Sequence, residues 1–243
     1  MAVCAYCGSQ LRISVGSAGA RVGTLAGIQA GTALIAKERD FDVADRRTLL
    51  QVIDEVLAGL VPRWRRLAEQ GRVELSTTPY AHPILPLLHD FNAAREAVPS
   101  ARLPRHAGYP GGDDRAAWHM AEAVRVFSEA FGFRPSGCWP SEGAVSRLAL
   151  QSIDEYGFRW AATSANVLRA SLSATKAIEG DGASCFNQAY QVPGEKLSVF
   201  FRHDTLSDAI GFQYAPWHGD DAAANFAGEL SKLADLYAGQ PER

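Results

Sequence analysis

A carboxylate set one short turn beyond an apolar strand is the group in this chain best placed for chemistry. The stretch Gly137-Cys138-Trp139-Pro140-Ser141-Glu142-Gly143 reads as a strand over residues 136–139, then Glu142, then a helix starting near Gly143. In α/β barrels the C-terminal ends of the strands carry the reacting groups. Glu142 could there be a nucleophile, a general acid or base, or a metal ligand. The same position is compatible with a carboxylate that only complements the dipole of the following helix. His82 stands in the equivalent place behind an earlier strand, residues 73–76, in a loop closed by Pro83; a histidine there either faces a ligand or braces the turn. His203, Asp204 and Asp208 follow a third apolar strand, residues 197–202, beside Arg202 at its end. They could recognise hydroxyl groups through charge-assisted hydrogen bonds, or pair among themselves and fix the strand end.

The elements that must position these groups alternate between strand and helix. Leu49, Ile53, Val56, Leu60, Trp64 and Leu67 step by three and four along residues 43–70, the stripe of an amphipathic helix with a core-facing Trp64. Pro62 inside it predicts a kink or a break, and Arg63, Arg65 and Arg66 read as a solvated face. Gly71 ends that helix before the 73–76 strand. Residues 92–112, with Pro99, Pro104, Pro110 and three glycines, read as a long connection of the kind that borders sites. Asp113 or Asp114 then caps a helix whose core stripe is Ala117, Met120, Val124, Phe127 and Phe131. His89, Asp90 and His119 need no functional role in this reading. Val145, Leu148, Ala149, Ser152 and Tyr156 form the next helix face, closed by Gly157, and residues 158–163 the next strand. A helix over 165–176, a loop over 180–194 with Cys185 and Tyr190 in packing roles, and a last helix from Asp220 to Tyr237 complete the chain. Strand, helix, strand alternation implies parallel strands joined by right-handed crossovers.

Bulk composition narrows the partners. At 243 residues with 47% hydrophobic and 21% charged residues, the chain is long enough for one α/β domain with a sizeable core. A net charge of -3 and no run of Lys or Arg offer no field for nucleic acid or an anionic membrane. The most apolar stretch, residues 22–36, is interrupted by glycines and too short to span a bilayer, which points to a cytoplasmic address. Cys4 and Cys7 have C-x-x-C spacing, but no second Cys or His pair completes a zinc site, and the other two of the four cysteines, Cys138 and Cys185, are too scattered for a disulfide framework. Neither metal nor cofactor is expected, and the sequence sets no oligomeric state.

Three blocks carry a family resemblance: Trp139-Pro140-Ser141-Glu142; the run from Val73 to Leu88 with its core Pro79-Tyr80-Ala81-His82-Pro83-Ile84-Leu85-Pro86; and Phe200-Phe201-Arg202-His203-Asp204-Thr205-Leu206-Ser207-Asp208. In order and spacing they resemble glycoside hydrolase family 57 over roughly residues 37–236. The resemblance implies part of an incomplete (β/α)7 barrel with parallel strands, spanning residues 37–238 after a divergent segment 1–36 and before a polar terminus 239–243. It implies Glu142 as catalytic nucleophile of a retaining hydrolase or glycosyltransfer enzyme acting on α-glucan. Tyr80, His82, Trp139, Arg202, Asp204 and Asp208 are then its substrate-binding residues.

A retaining glycosidase needs two carboxyl groups about 5 to 5.5 Å apart. The family's first-strand His-Gln-Pro motif and its later Asp-x-Glu block, which holds the acid, are both missing from this sequence. The expectation is therefore a fragment of weak or no activity on its own. A non-catalytic carbohydrate-binding remnant is the alternative. A metal-dependent polysaccharide deacetylase fits less well, because His82 and His89 lack the ligand spacing.

Overall fold

The computed structural model describes residues 3–4, 25–106, 108–175 and 188–237. Cys7 and Cys185, and so both ends of the question raised by the C-x-x-C pair and the 180–194 loop cysteine, lie outside these residues. The chain divides into two compact units, residues 1–75 with 125–134 and residues 76–124 with 135–243.

The first unit holds a two-residue strand, β1 (Val3–Cys4), and two helices, α1 (Leu25–Lys37) and α2 (Val43–Glu69). Asp42 opens α2 with a capping box: its carboxylate accepts the Asp45 N–H at 2.9 Å, and its own N–H donates to Asp45 Oδ2 at 2.9 Å. Both donors would otherwise be orphans of the helix start. Lys37 also reaches the Asp45 carboxylate. That hydrogen bond, then the Asp42 backbone N–H, holds Asp45 below the usual carboxylate range.

The sequence predicts a kink or break at Pro62, yet α2 runs through it without interruption. Pro62 and Ala58, whose carbonyl loses its donor, are both exposed, so water can take up the lost bond. The predicted stripe is only partly core. Trp64 packs with Leu75, Phe127, Phe131 and Phe133, whereas Leu49 and Ile53 remain 48% and 43% exposed. Gly71, at φ 65°, supplies the left-handed residue that ends the helix region.

The second unit contains a sheet with strand order β2-β3-β4-β6-β5. Its strands are β2 (Leu75–Thr77), β3 (Gly137–Cys138), β4 (Trp160–Ser164), β5 (Tyr190–Gln191) and β6 (Ser198–Arg202). The pairs β2 with β3, β3 with β4, and β4 with β6 are all parallel, as the alternation of elements predicts. Strand β5 pairs antiparallel with β6, inside a segment that the sequence reads as loop. Tyr190 makes that edge strand worthwhile, its ring meeting Phe201 edge-on at 5.5 Å.

The helices that follow β2 in the chain are α3 (Leu85–His89), α4 (Ala94–Ala97), α5 (Gly112–Phe131), α6 (Arg147–Glu155), α7 (Ala165–Thr175), α8 (Asp204–Asp208) and α9 (Gly219–Tyr237), and α7 packs against β4 and β6. Leu85, Ala116, Met120, Ile153, Phe158, Ala161 and Leu197 form the central apolar cluster. Two predicted core positions turn outward: Ala117 is exposed while Ala116 is buried, and Leu148 is exposed while Ile153 is buried. Each error is a small rotation of a correctly placed helix. The predicted connection over 92–112 is also interrupted, by a 3-10 turn (Phe91–Ala93) and by α4.

A side chain packed directly on the backbone explains one glycine of the Glu142 block. A Cβ on Gly137 would lie 2.0 Å from Cζ2 of Trp160, its register partner on β4. Gly137→Ala should therefore destabilise the protein by about 1–3 kcal/mol through overpacking. Gly59, mid-helix in α2 with nothing within 4 Å of where a Cβ would sit, should do the opposite as Gly59→Ala and gain roughly 0.5–1 kcal/mol. Urea unfolding of both variants checks the pair; equal effects of the same sign would show that Trp160 does not close the Gly137 site.

Candidate active site

Parallel strands end on one side of a sheet, and β2, β3 and β6 each hand over there to a residue singled out by sequence. After β3, Pro140 starts a tight turn in which the Gly143 N–H donates to the Pro140 carbonyl at 2.8 Å and the Ala144 N–H to the Ser141 carbonyl at 3.0 Å. Glu142 sits in that turn at φ 56°, ψ 16°, followed by Gly143 at φ 66°. A left-handed glutamate costs on the order of 1–3 kcal/mol and persists only where its surroundings over-determine it. They do so here. The buried Thr163 hydroxyl on β4 donates to the Gly143 carbonyl at 2.5 Å, the Trp139 N–H donates to Thr77 at 2.7 Å, and the buried Ser141 hydroxyl lies 3.4 Å from that of Thr78.

The next helix starts later than the sequence suggests. Helix α6 begins at Arg147 under its own cap, Ser146, whose hydroxyl accepts the Ala149 N–H at 3.2 Å. Glu142 lies outside the first turn of α6, so the dipole-complementing reading has no geometric support.

The loop after β2 is built on the same principle. Ala81 and His82 are left-handed at φ 57° and 60°, and the His82 N–H closes onto the Pro79 carbonyl at 3.0 Å. This turn aims His82 Nε2 at Glu142 Oε1, 2.9 Å away. With an ionised carboxylate as acceptor, Nε2–H is the donor. Both side chains are open to water, 43% and 74% exposed, so solvent screens their attraction. The contact's worth is directional: it holds one carboxylate oxygen and leaves the other for a ligand.

The remaining predicted residues fall into two groups. Trp139 joins the Glu142 turn, since a Cβ on Gly143 would lie 3.7 Å from its Cζ2, and the Arg202 guanidinium stands 5.7 Å from the Trp139 ring centroid. Arg202 also holds Asp204 at 3.0 Å and Asp208 at 3.8 Å, while Asp204 accepts the Asn166 N–H at 3.2 Å. Glu142, His82, Trp139 and Arg202 thus form one connected string, with Asp204 and Asp208 attached through Arg202. The Tyr80 ring instead meets Trp118 edge-on at 5.7 Å.

Two histidines without a role in the sequence reading hold parts of the fold together, and His119 does so at this site. The Tyr80 N–H donates to the His119 carbonyl at 3.1 Å, and His119 Nδ1–H returns a hydrogen bond to the Tyr80 carbonyl at 2.7 Å, pinning the loop two residues ahead of His82. His89, its side chain 9% exposed, bridges Asp113 at 2.7 Å and Ser152 at 3.1 Å, tying α3, α5 and α6 together. Neither had a signal in periodicity, because each acts from beside an apolar stripe. Among the described residues no cluster of His, Cys, Asp and Glu could hold a metal ion, and no helix is long and apolar enough to cross a membrane.

The family model for glycosyl hydrolase family 57 matches residues 35–242. No curated protein matches the sequence. Among solved structures, the chain is similar to the GH57 branching enzyme of the hyperthermophilic archaeon Thermococcus kodakaraensis, with 16% identity and a TM-score of 0.56 over 89% of this chain and 48% of that one. It is likewise similar to the GH57-type branching enzyme of the hyperthermophilic archaeon Pyrococcus horikoshii, with 14% identity and a TM-score of 0.54 over 90% of this chain and 47% of that one. The chain spans about half the length of these structures. Their likeness and the parallel sheet bear out the α/β fold expected above, part of a (β/α)7 barrel.

The reciprocal pair between Tyr80 and His119 generates a test. His119→Ala should cost about 1 kcal/mol and speed hydrogen exchange at the His82 amide. His119→Asn, whose Nδ2–H can take the place of Nδ1–H, should restore both. An asparagine no better than alanine would show that His119 does not hold the loop.

Proposed function

The chain belongs to glycosyl hydrolase family 57, and from that premise we propose that it supplies the nucleophile-bearing part of a retaining enzyme that hydrolyses or transfers α-glucan. The observation that carries the reading is the 2.9 Å hydrogen bond between His82 and Glu142, made by two left-handed residues that leave separate parallel strands. Strain held in place at the ends of strands is a mark of functional positions. The proposal takes residues 37–238 as the functional domain, residues 1–36 and 239–243 as flanking segments, and the cytoplasm as its location.

In the first step, one Glu142 oxygen attacks the anomeric carbon as the bond to the leaving oxygen breaks, giving a glycosyl ester on Glu142. The leaving oxygen takes a proton from a second carboxyl group, and water or a sugar hydroxyl then displaces the ester. His82 donates to the oxygen that does not attack, orienting the carboxylate and keeping it from turning toward solvent. Trp139, with the Arg202 guanidinium over its ring, flanks the sugar. Asp204 and Asp208, engaged by Arg202, suit hydroxyl recognition. Tyr80, two residues ahead of His82, serves the same substrate.

An activated fluoroglycoside that forms a stable ester tests the assignment without needing an acid to protonate its leaving group. Mass spectrometry should find the sugar on the peptide containing Glu142, and Glu142→Gln should abolish the label. His82→Ala should slow labelling roughly ten- to a hundredfold, the loss of one hydrogen bond to a charged group. Labelling elsewhere would overturn the nucleophile assignment. Sugar binding with no labelling would favour a binding-only domain.

A further inference from the structure

We propose that Tyr80, Trp118 and Arg115 form an outer subsite for a pyranose unit of the same glucan, remote from the bond that is cleaved. This inference rests on the reading of Glu142, His82 and Tyr80 as a glucan site and extends it to Trp118 and Arg115, which the sequence left unassigned. Trp118 lies on α5 with 54% of its surface in water, and Tyr80 beside it is 39% exposed. Exposed tryptophan is costly unless something covers it, because no other side chain carries so much apolar area.

The geometry is that of a prepared platform. Trp118 meets Tyr80 edge-on at 5.7 Å and the His119 ring edge-on at 4.9 Å. His119 is in turn bound to the Tyr80 backbone in both directions, so the aromatic rings are fixed relative to each other before any ligand arrives. A rigid aromatic surface loses little conformational entropy when a sugar's apolar C–H face settles on it. Arg115 is three residues before Trp118 and therefore on the same side of α5. It is exposed and stacks over the Tyr109 ring at 5.3 Å, which steadies a guanidinium whose N–H groups suit sugar hydroxyls.

Continuity with the candidate site selects the occupant. Tyr80 is two residues from His82, and His82 touches Glu142. A chain of linked sugars with one unit at Glu142 would pass along this loop toward Trp118, whereas a single free sugar would gain nothing from reaching it. Long oligosaccharides should therefore bind better than short ones, and the advantage should belong to Trp118.

The experiment measures Kd by calorimetry for maltoheptaose and maltotriose with the unaltered protein, with Trp118→Ala and with Trp118→Phe. The expected result is a preference of roughly five- to tenfold for maltoheptaose, lost in Trp118→Ala and largely kept in Trp118→Phe. Thermal melting of Trp118→Ala confirms the fold, and a full preference in that variant would overturn the subsite while leaving the proposed function standing. Equal affinity of the unaltered protein for both sugars would overturn it in the same way. No binding of either sugar would overturn the glucan reading itself, and this inference with it.

Discussion

The candidate site depends on two side chains being carried by residues that would rather not have the backbone they have. Ala81, His82 and Glu142 are left-handed, a conformation that places Cβ against the carbonyl oxygen. Each would relax if released. What prevents release is ordinary hydrogen bonding on either side: Thr163 on the Gly143 carbonyl, Ser141 near Thr78, and His119 on Tyr80. The sheet sets the distance between the two turns and the turns set the direction of the side chains. A 2.9 Å contact between residues 60 positions apart is the product of both.

This division of labour explains what could be read in the sequence. The parallel order of β2, β3, β4 and β6 followed from alternating strands and helices, because crossover geometry leaves few choices. That Glu142 and His82 share a side of the sheet followed from the same rule. Their hydrogen bond did not. It requires positive φ at residues that are not glycine, which no pattern of types announces.

The misreadings have equally local causes. Pro62 leaves α2 continuous because both it and Ala58 face water. Spacing alone puts Ala117 and Leu148 in the core, and a small rotation about the helix axis puts Ala116 and Ile153 there instead. His89 and His119 were invisible because a polar residue beside an apolar stripe has the same pattern whether it braces a loop or only meets solvent. The short strand β5 is held by pairing with β6 and by the Tyr190 and Phe201 rings, a long-range contact that composition cannot show.

If Glu142 is the nucleophile, replacing it with alanine should leave a space that a small anion can fill, and the stereochemistry of the product should report which group does the attacking. The most direct measurement is azide rescue of Glu142→Ala acting on α-glucosyl fluoride, whose leaving group needs no acid, with the product followed by proton NMR. The expected product is β-glucosyl azide, formed by a single inverting displacement and absent from reactions of the unaltered protein. Formation of no azide product by the variant, together with fluoride release from it as fast as from the unaltered protein, would contradict the assignment of Glu142.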